Sequence, residues 1–339
     1  MSIFFLKSPD HLLIIHKIVF MRGNGESFML EDAIQTTGGV LHTEDLDFIY
    51  KTICEVFNCN KEQIKELQPL QKGLSNSVLT FELNGGKYVF RFPGLGSEVL
   101  IDRGRESMIQ SQANDARVDT TLVAMSVSKG WKIARFIDNR GFDYKNVSDI
   151  VRGVRLIHKL HDAPVKVRYE FDVKSKWESI MELIPKEQYG ENYPDFPDFV
   201  EIKDRVYKLY DYAKNDGIPM CLTQGDSRDE NFLINDSEIY LTDWEYAGYG
   251  DPGFDIGTYI CGGDHSREEV DRVLFVYFGH EPNLVEKRHF YAWIAITGFF
   301  YMHWTMFKEA SGQKIGYLKP LWYRFARDYS KLALEMYGG

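Results

Sequence analysis

The chain has 339 residues, of which 44% are hydrophobic and 27% are charged; these are ordinary values for a globular protein and argue against disorder. Its 40 basic and 50 acidic side chains give a net charge of −10. Because nucleic-acid binding needs a basic surface that releases counterions, this balance disfavours nucleic acid as a partner, and we expect none. The apolar run at 12–20 is interrupted by His16 and Lys17 and is too short to span a membrane, so no membrane span is expected. The four scattered cysteines are too few for a disulfide scaffold and favour reduced thiols, so we expect a cytoplasmic protein.

Residues 1–42 mix apolar pieces with turn signals, and we treat them as an N-terminal extension of unknown structure. The acidic first turn and apolar stripe that begin at Thr43 predict a helix. The segments SVLTFEL (77–83) and KYVFRF (87–92) alternate in polarity on either side of Asn84-Gly85-Gly86, which predicts a hairpin.

A helical run at about 98–113 follows the hairpin, and two further strands are predicted within 120–127 and 131–137. Residues 43–140 therefore form an N-terminal lobe with a small antiparallel sheet and a helix packed against it. Residues 141–339 form a mostly helical C-terminal lobe, interrupted at 219–252 by short strands and polar turns. Helical spacing in this lobe occurs at 147–161, 173–185, 198–214, about 284–309 and about 318–336. The predicted fold is α+β, with the bilobal layout of a protein-kinase-like enzyme.

Two polar motifs in the C-terminal lobe carry the chemistry. In QGDSRDENFLI (224–234), Asp226 precedes Asn231 by five residues, and in IYLTDWEYAG (239–248), Asp243 follows a short apolar strand. Phosphoryl transfer needs a carboxylate that orients the attacking hydroxyl and oxygen ligands that hold Mg²⁺ on the phosphates. Asp and Asn are common in turns, so an Asp and an Asn five residues apart indicate little by themselves, and only the length of the combined motif favours a catalytic site.

GDSRDEN followed by LTDWEYAGYGDPGFDIG resembles the paired motifs of the aminoglycoside phosphotransferase and choline kinase superfamily. This resemblance implies that Asp226 is the catalytic base with Asn231 beside it, that Asn231 and Asp243 bind Mg²⁺, and that Asp255 supports the catalytic loop. Gln224 stands where the family usually has histidine, and Trp244 stands where protein kinases have phenylalanine.

The N-terminal lobe carries further resemblances. GLSNSV (73–78) is similar to the family's phosphate-covering turn, which implies ATP contacts from Ser75 and Asn76. Arg91 occupies the place of the ATP-binding lysine of protein kinases, and Glu106 resembles the glutamate that pairs with it. The stretch RFPGLGSEVLIDRGRE (91–106) closely resembles bacterial choline kinases.

The C-terminal helices supply aromatic side chains. Tyr301 and Trp304 are three residues apart and so share one helix face, and they match two cage positions of choline kinases. Aromatic faces attract quaternary ammonium ions, although a buried helix also carries aromatics in its core. Further expected substrate contacts are Arg228, Glu245, Tyr317 and Trp322.

These residues predict transfer of the γ-phosphate from ATP to choline, with Mg²⁺ as cofactor. Ethanolamine kinase is the nearest alternative, followed by an aminoglycoside phosphotransferase. Aminoglycosides carry several ammonium groups and call for carboxylates in the pocket, whereas choline calls for aromatic faces. An inactive nucleotide-binding module is the alternative from another class, and the joint presence of Asp226, Asn231 and Asp243 argues against it.

Overall fold

The structure is a computed structural model that describes residues 18–21, 27–30, 34–36, 39–41, 43–70, 77–92, 103–164, 169–190, 193, 196–244 and 246–338. Ser75, Asn76 and Glu245, which the sequence predicts as ATP or substrate contacts, lie outside these residues. The described residues within 1–104 and 121–136 form one compact unit, and those within 105–120 and 137–339 form a second.

The first unit is built around a five-stranded antiparallel sheet in the order β5-β6-β7-β9-β8. Its elements are β1 (Ile18–Met21), β2 (Ser27–Leu30), β3 (Ile34–Thr36), β4 (Gly39–Leu41), α1 (Thr43–Phe57), β5 (Lys65–Pro69), β6 (Ser77–Leu83), β7 (Gly86–Phe92), β8 (Leu122–Met125) and β9 (Lys132–Arg135). A 3-10 helix spans Lys61–Gln63, and β1 pairs with β2 and β3 with β4 in two short antiparallel hairpins.

The predicted hairpin is confirmed, with β7 starting one residue early at Gly86. Asn84 and Gly85 both have positive φ, of 52° and 79°, as a tight two-residue turn between twisted strands requires. The apolar stripe of α1 packs against the sheet in a core that includes Leu46, Ile49, Ile53, Leu79, Phe81, Phe90 and Ile133. This packing holds the first unit together.

The helix predicted at about 98–113 is α2 (Arg103–Asp115), and most of it belongs to the second unit rather than to the lobe predicted at 43–140. The reason is its contacts with that unit. The Arg105 guanidinium donates to the Ala247 carbonyl from Nε at 3.0 Å and from Nη2 at 2.5 Å. Ile109 and Ala113 are fully buried in the core of the helical unit.

The second unit is mainly helical, and the five helical segments predicted in it are confirmed to within two residues at each end. Its elements after α2 are α3 (Val147–His161), α4 (Val173–Leu183), α5 (Lys186–Tyr189), α6 (Phe199–Ala213), β10 (Cys221–Thr223), β11 (Phe232–Ile234), β12 (Ile239–Leu241), β13 (Gly248–Gly250), α7 (Pro252–Gly262), α8 (Arg267–Phe278), α9 (Leu284–Ala310) and α10 (Lys319–Met336). Two 3-10 helices span Asp229–Asn231 and Gly316–Leu318. β10 pairs with β13 and β11 with β12, both antiparallel.

Helix α9 is buried along most of its length and forms the centre of this unit. Two glycines let α7 approach it closely. A Cβ on Gly253 would lie 2.4 Å from the Trp293 ring, and a Cβ on Gly257 would lie 2.4 Å from Thr297 Oγ1. Because larger residues would push the helices apart, the glycines of the DPGFDIG motif determine how near α9 lies to the segment that precedes α7.

Candidate active site

The loop between β10 and β11 brings Asp226 and Asn231 together. Asn231 Nδ2 donates to the Asp226 carbonyl at 2.7 Å and to Asp226 Oδ2 at 2.9 Å. The turn is closed by backbone bonds from Arg228 N to Asp226 O at 2.7 Å and from Asn231 N to Arg228 O at 3.0 Å. Gly225 has φ +87°, and a Cβ there would lie 2.6 Å from the Tyr246 carbonyl oxygen, so this position requires glycine.

Asp255, on the first turn of α7, is fully buried beneath this loop. Its carboxylate accepts bonds from the backbone N–H groups of Gln224 and Gly225, both at 2.7 Å. His161 Nε2 lies 3.1 Å from Asp255 Oδ2, and the His161 ring is held on its other side by Tyr277 at 2.8 Å. These bonds fix the backbone of Gln224 and Gly225 at the start of the loop.

Gln224 also joins the two polar motifs. Its Nε2 donates to the carbonyls of Thr242 and Asp243, each at 2.8 Å, while its Oε1 accepts from Asp226 N at 2.7 Å. The Ser227 hydroxyl adds a bond to the same oxygen at 3.2 Å. A glutamine amide can thus link the strand end to the loop at the position where histidine is usual in the family.

Asp243 lies two residues beyond β12 and has φ +64°, a conformation that is unfavourable for a residue other than glycine. Such strain is concentrated at functional sites, where the surrounding structure enforces it. Thr242 N and Thr242 Oγ1 bond to the Asn231 carbonyl at 2.9 and 3.1 Å, so the strand end is attached to the loop that carries Asn231.

The oxygen atoms that could act as metal ligands here suit a hard cation. Both bonds of the Asn231 side-chain nitrogen go to Asp226, which leaves the amide oxygen as the atom of Asn231 that can act as a ligand. Within the described residues, no group of three or more His, Cys, Asp or Glu side chains is arranged to hold a metal. An amide oxygen, one carboxylate and nucleotide phosphates are nonetheless a set that Mg²⁺ accepts, so Asn231 and Asp243 fit the predicted ion.

Asp226 borders a cavity that is open to solvent, and five of the ten described residues that line it are aromatic. The described lining residues are Phe171, Lys176, Ile180, Gly225, Asp226, Arg228, Tyr246, Phe300, Tyr301 and Trp304. Asp226 is the only carboxylate among them. The cavity thus combines a reactive carboxylate with a largely apolar wall, a combination that suits a small alcohol with a methylated or alkyl end.

Tyr301 and Trp304 both line the cavity, with ring centroids 6.1 Å apart and nearly perpendicular planes. The Tyr301 hydroxyl donates to Asp226 Oδ1 at 2.7 Å. Burial raises the pKa of Tyr301 well above its usual value and the neighbouring Asp226 carboxylate raises it further, so the hydroxyl keeps its proton. Tyr301 therefore contacts the carboxylate itself, which its helical spacing did not predict.

The two other predicted aromatic contacts do not reach this cavity. Trp322 is 2% exposed and stacks behind Tyr301, with centroids 4.9 Å apart. Tyr317 lies in the 3-10 helix before α10 and is 75% exposed. Trp322 thus supports the Tyr301 ring from behind, and Tyr317 faces solvent.

Arg228, predicted to contact substrate, lines the cavity and pairs with Asp226. Its Nε lies 2.8 Å from Asp226 Oδ1, and its Nη2 lies 3.3 Å from Asp226 Oδ2 and 3.0 Å from Glu230 Oε2. Burial disfavours its charge, but these carboxylates outweigh burial and raise the pKa of Arg228, so the guanidinium is charged.

Two of the four predicted ATP-binding residues, Arg91 and Glu106, lie in the described part of the chain. Arg91 is on β7 of the first unit, opposite Val78 of β6. Glu106 is on α2 and is 1% exposed. Their roles toward ATP stay predictions.

Motif analysis missed several cavity residues. Lys176 and Ile180 come from α4, four residues apart on one face, and Phe171 and Tyr246 come from segments beside β13. The spacing of Lys176 and Ile180 was visible in a helix that the sequence predicted, but nothing in one helix says which of its faces borders a cavity.

The choline/ethanolamine kinase family model matches residues 67–271, a span that includes the whole loop and strand end described above. The chain belongs to the choline/ethanolamine kinase family. It is therefore a phosphotransferase with an alcohol group as acceptor, and its α+β architecture is the protein-kinase-like fold of that family.

Relatives agree with the family assignment. Protein LicA of Haemophilus influenzae strain Rd is 25% identical over 262 residues, which cover 72% of this chain and 93% of that protein. A probable ethanolamine kinase of Arabidopsis thaliana is 24% identical over 210 residues, covering 59% and 53%. The crystal structure of choline kinase LicA from Streptococcus pneumoniae matches with a TM-score of 0.66 at 18% identity, covering 86% of this chain and all of that one, which shows a shared fold.

No helix in the described part of this family member is long and apolar enough to cross a membrane.

Proposed function

We propose that this family member transfers the γ-phosphate of ATP to the hydroxyl group of choline, giving phosphocholine and ADP. The observation that carries the proposal is the cavity with Asp226 at its edge, where the Tyr301 hydroxyl bonds to the carboxylate and Trp304 lines the same wall. The related proteins named as choline and ethanolamine kinases support an amino alcohol as the acceptor.

In this reaction the hydroxyl oxygen of choline attacks the γ-phosphorus while the bond to the bridging oxygen of ADP breaks. Asp226 would orient the hydroxyl and accept its proton. Asn231 and Asp243 would hold Mg²⁺, which when bound neutralises charge on the phosphates. Arg91 would contact phosphates that do not react, because a guanidinium suits phosphate oxygens.

The cavity wall favours choline over its rivals. A trimethylammonium group presents a diffuse charge and methyl surface that match the faces of Trp304 and Phe300, whereas a primary ammonium prefers carboxylate or carbonyl oxygens. A polycationic aminoglycoside would meet Lys176 and Arg228 and, in the described lining, only one carboxylate. The exposed Lys176 can extend its ammonium into solvent, so it repels a small monocation less than it repels a polycation that fills the cavity.

The hydrogen bonds between Asp226 and Asn231 favour an active enzyme over an inactive nucleotide-binding module. Both side chains are held by the loop in one arrangement, with Gln224 attaching the Asp243 strand end to it. Such preorganisation positions the reacting groups, and nucleotide binding alone does not require it.

The test is a phosphotransfer assay in which choline, ethanolamine, kanamycin and homoserine are compared side by side, with and without Mg²⁺, and the phosphorylated product is identified by ³¹P NMR. Asp226→Ala should lower kcat by about 10²–10⁴ while ATP binding persists, since it removes the proton acceptor. The matched control is Asp236→Ala, at a fully exposed aspartate on the turn between β11 and β12. Normal turnover by the Asp226 variant, or a clear preference for another acceptor, contradicts the proposal.

A further inference from the structure

The Asp226 carboxylate has no vacant acceptor position in this structure. Oδ1 accepts from Arg228 Nε at 2.8 Å and from the Tyr301 hydroxyl at 2.7 Å. Oδ2 accepts from Asn231 Nδ2 at 2.9 Å and from Arg228 Nη2 at 3.3 Å. A carboxylate offers about four lone-pair positions, so an acceptor hydroxyl or a water can bond to Asp226 only if one of these donors leaves.

Arg228 is the donor that can leave at the lowest cost. The Asn231 amide is also bonded to the Asp226 carbonyl, and the Tyr301 ring is 4% exposed and stacked on Trp322. The Arg228 Nη2 contact is the longest of the four, and the same nitrogen already lies 3.0 Å from Glu230, whose side chain is 66% exposed. If the guanidinium moves toward Glu230, it gives up both bonds to Asp226 but keeps one carboxylate partner.

Arg228 also occupies the place that a cationic acceptor would take. Its guanidinium carbon lies 5.8 Å from the centroid of the Tyr301 ring, within the range of a cation–π contact, and it pairs with the Asp226 carboxylate. Gly262 leaves space for its stem, since a Cβ there would lie 3.2 Å from Arg228 Cγ. The side chain thus makes the two contacts that an ammonium alcohol would make in the same cavity.

We propose that Arg228 is a positioning residue that withholds Asp226 from water until the cationic acceptor displaces it toward Glu230. The inference rests on the proposed phosphotransfer. In the unwanted reaction, a water oxygen would bond to the γ-phosphorus as the bond to ADP breaks, with the water proton passing to Asp226. With Arg228 in place, that carboxylate has no position for the water. When the acceptor binds, its ammonium repels the guanidinium and its hydroxyl takes the freed position on Oδ2.

The experiment measures ATP hydrolysis without acceptor and product formed per ATP consumed with choline, for wild type and for Arg228→Gln. We expect acceptor-independent hydrolysis to rise about tenfold in Arg228→Gln, because a charge-assisted bond that competed with water is gone. The amount of phosphorylated product per ATP should fall. Free guanidinium ion at millimolar concentration should suppress the excess hydrolysis, whereas urea, which has a similar shape but no charge, should not.

A second variant tests the displacement itself. Glu230→Gln removes the alternative anchor at an exposed site where folding is not at risk, and it should raise the KM for choline while hydrolysis without acceptor stays low. The matched control is Arg288→Ala, which breaks a similar ion pair with Asp216, at 2.6 Å, outside the cavity lining. It should leave the ratio of product to ATP unchanged.

Unchanged hydrolysis in Arg228→Gln, or hydrolysis that falls together with transfer, overturns the role of Arg228. The same holds for excess hydrolysis that guanidinium does not suppress. A wild-type protein that phosphorylates neither choline nor ethanolamine, while Arg228→Gln hydrolyses ATP faster, overturns the proposed acceptor and keeps the role of Arg228.

Discussion

Gln224 offers the sharpest test of how the two polar motifs are held together. Its side chain donates to the carbonyls of Thr242 and Asp243 and accepts from Asp226 N, so one amide connects the loop that carries the proposed base with the strand end that carries the proposed metal ligand. It is fully buried, so water cannot replace these bonds easily. The perturbation is Gln224→Met, which keeps the length of the side chain and removes its polar groups.

Each buried hydrogen bond that this variant removes should cost about 1–1.5 kcal/mol, so the three bonds at 2.7–2.8 Å give a loss of about 3–5 kcal/mol in the free energy of unfolding. Gln224→His is the matched variant, since an imidazole keeps one donor and one acceptor. It should lose less than about 2 kcal/mol, because it can still bond to both segments.

The assay is urea denaturation, followed by kcat at saturating Mg²⁺ for each folded variant. We expect kcat to fall about 10–100-fold in Gln224→Met and to change little in Gln224→His, since positioning of Asp226 and Asp243 depends on the link. Equal stability and equal kcat in the two variants would refute the reasoning. A stable but inactive histidine variant would show that the amide geometry, and not the link, is what the site needs.

Three other outcomes are expected. Asp243→Asn should raise the Mg²⁺ concentration needed for half-maximal activity more than Asn231→Ala does, because Asp243 is the anionic ligand. Mg²⁺ titrations in which both variants behave like wild type would contradict the proposed metal site. Trp304→Ala should lower kcat/KM for choline about five- to thirty-fold and kcat/KM for ethanolamine by less, whereas the control Tyr317→Ala should change neither value. Equal losses for both alcohols in a folded Trp304 variant would show that Trp304 serves the core and not the choice of substrate. His289 on α9 lies between two carboxylates, with Nε2 2.9 Å from Asp251 Oδ1 and Nδ1 3.3 Å from Asp216 Oδ2. Burial opposes the charge of the imidazole, but these two partners outweigh burial and raise the pKa of His289 to about 9. The contribution of protonated His289 to the free energy of unfolding is therefore fully present below its unfolded pKa of about 6.5 and is lost as pH rises through about 9. The free energy of unfolding should fall by about 3 kcal/mol across that range. A flat pH profile in wild type, or the same slope in His289→Gln, would contradict this.

Features determined by neighbours along the chain could be predicted from the sequence. The hairpin at 77–92 follows from alternating strands around Asn84-Gly85, whose positive φ values the structure confirms. The helix at 147–161 follows from its apolar spacing and has the predicted bounds. Asp226 and Asn231 belong to one turn, so their contact is also local, and this is why the motif pointed to the family correctly.

Only the tertiary structure determined which distant side chains contact the motif residues and which line the cavity. Tyr301 bonds to Asp226 across 75 residues, and Gly253 and Gly257 leave room for α7 to pack closely on α9, the helix that carries Tyr301. The sequence predicted substrate contacts at both Trp304 and Tyr317, yet Trp304 lines the cavity and Tyr317 faces solvent.

The same distinction applies to α2 and to Arg228. The sequence predicted the helix, but the bonds from Arg105 to Ala247 assign most of it to the helical unit. Arg228 stood in the sequence as a substrate contact, and the structure pairs it with Asp226. The physical reason is that helical and strand periodicity depends on bonds between near neighbours, whereas the partner of each side chain depends on how closely distant helices pack.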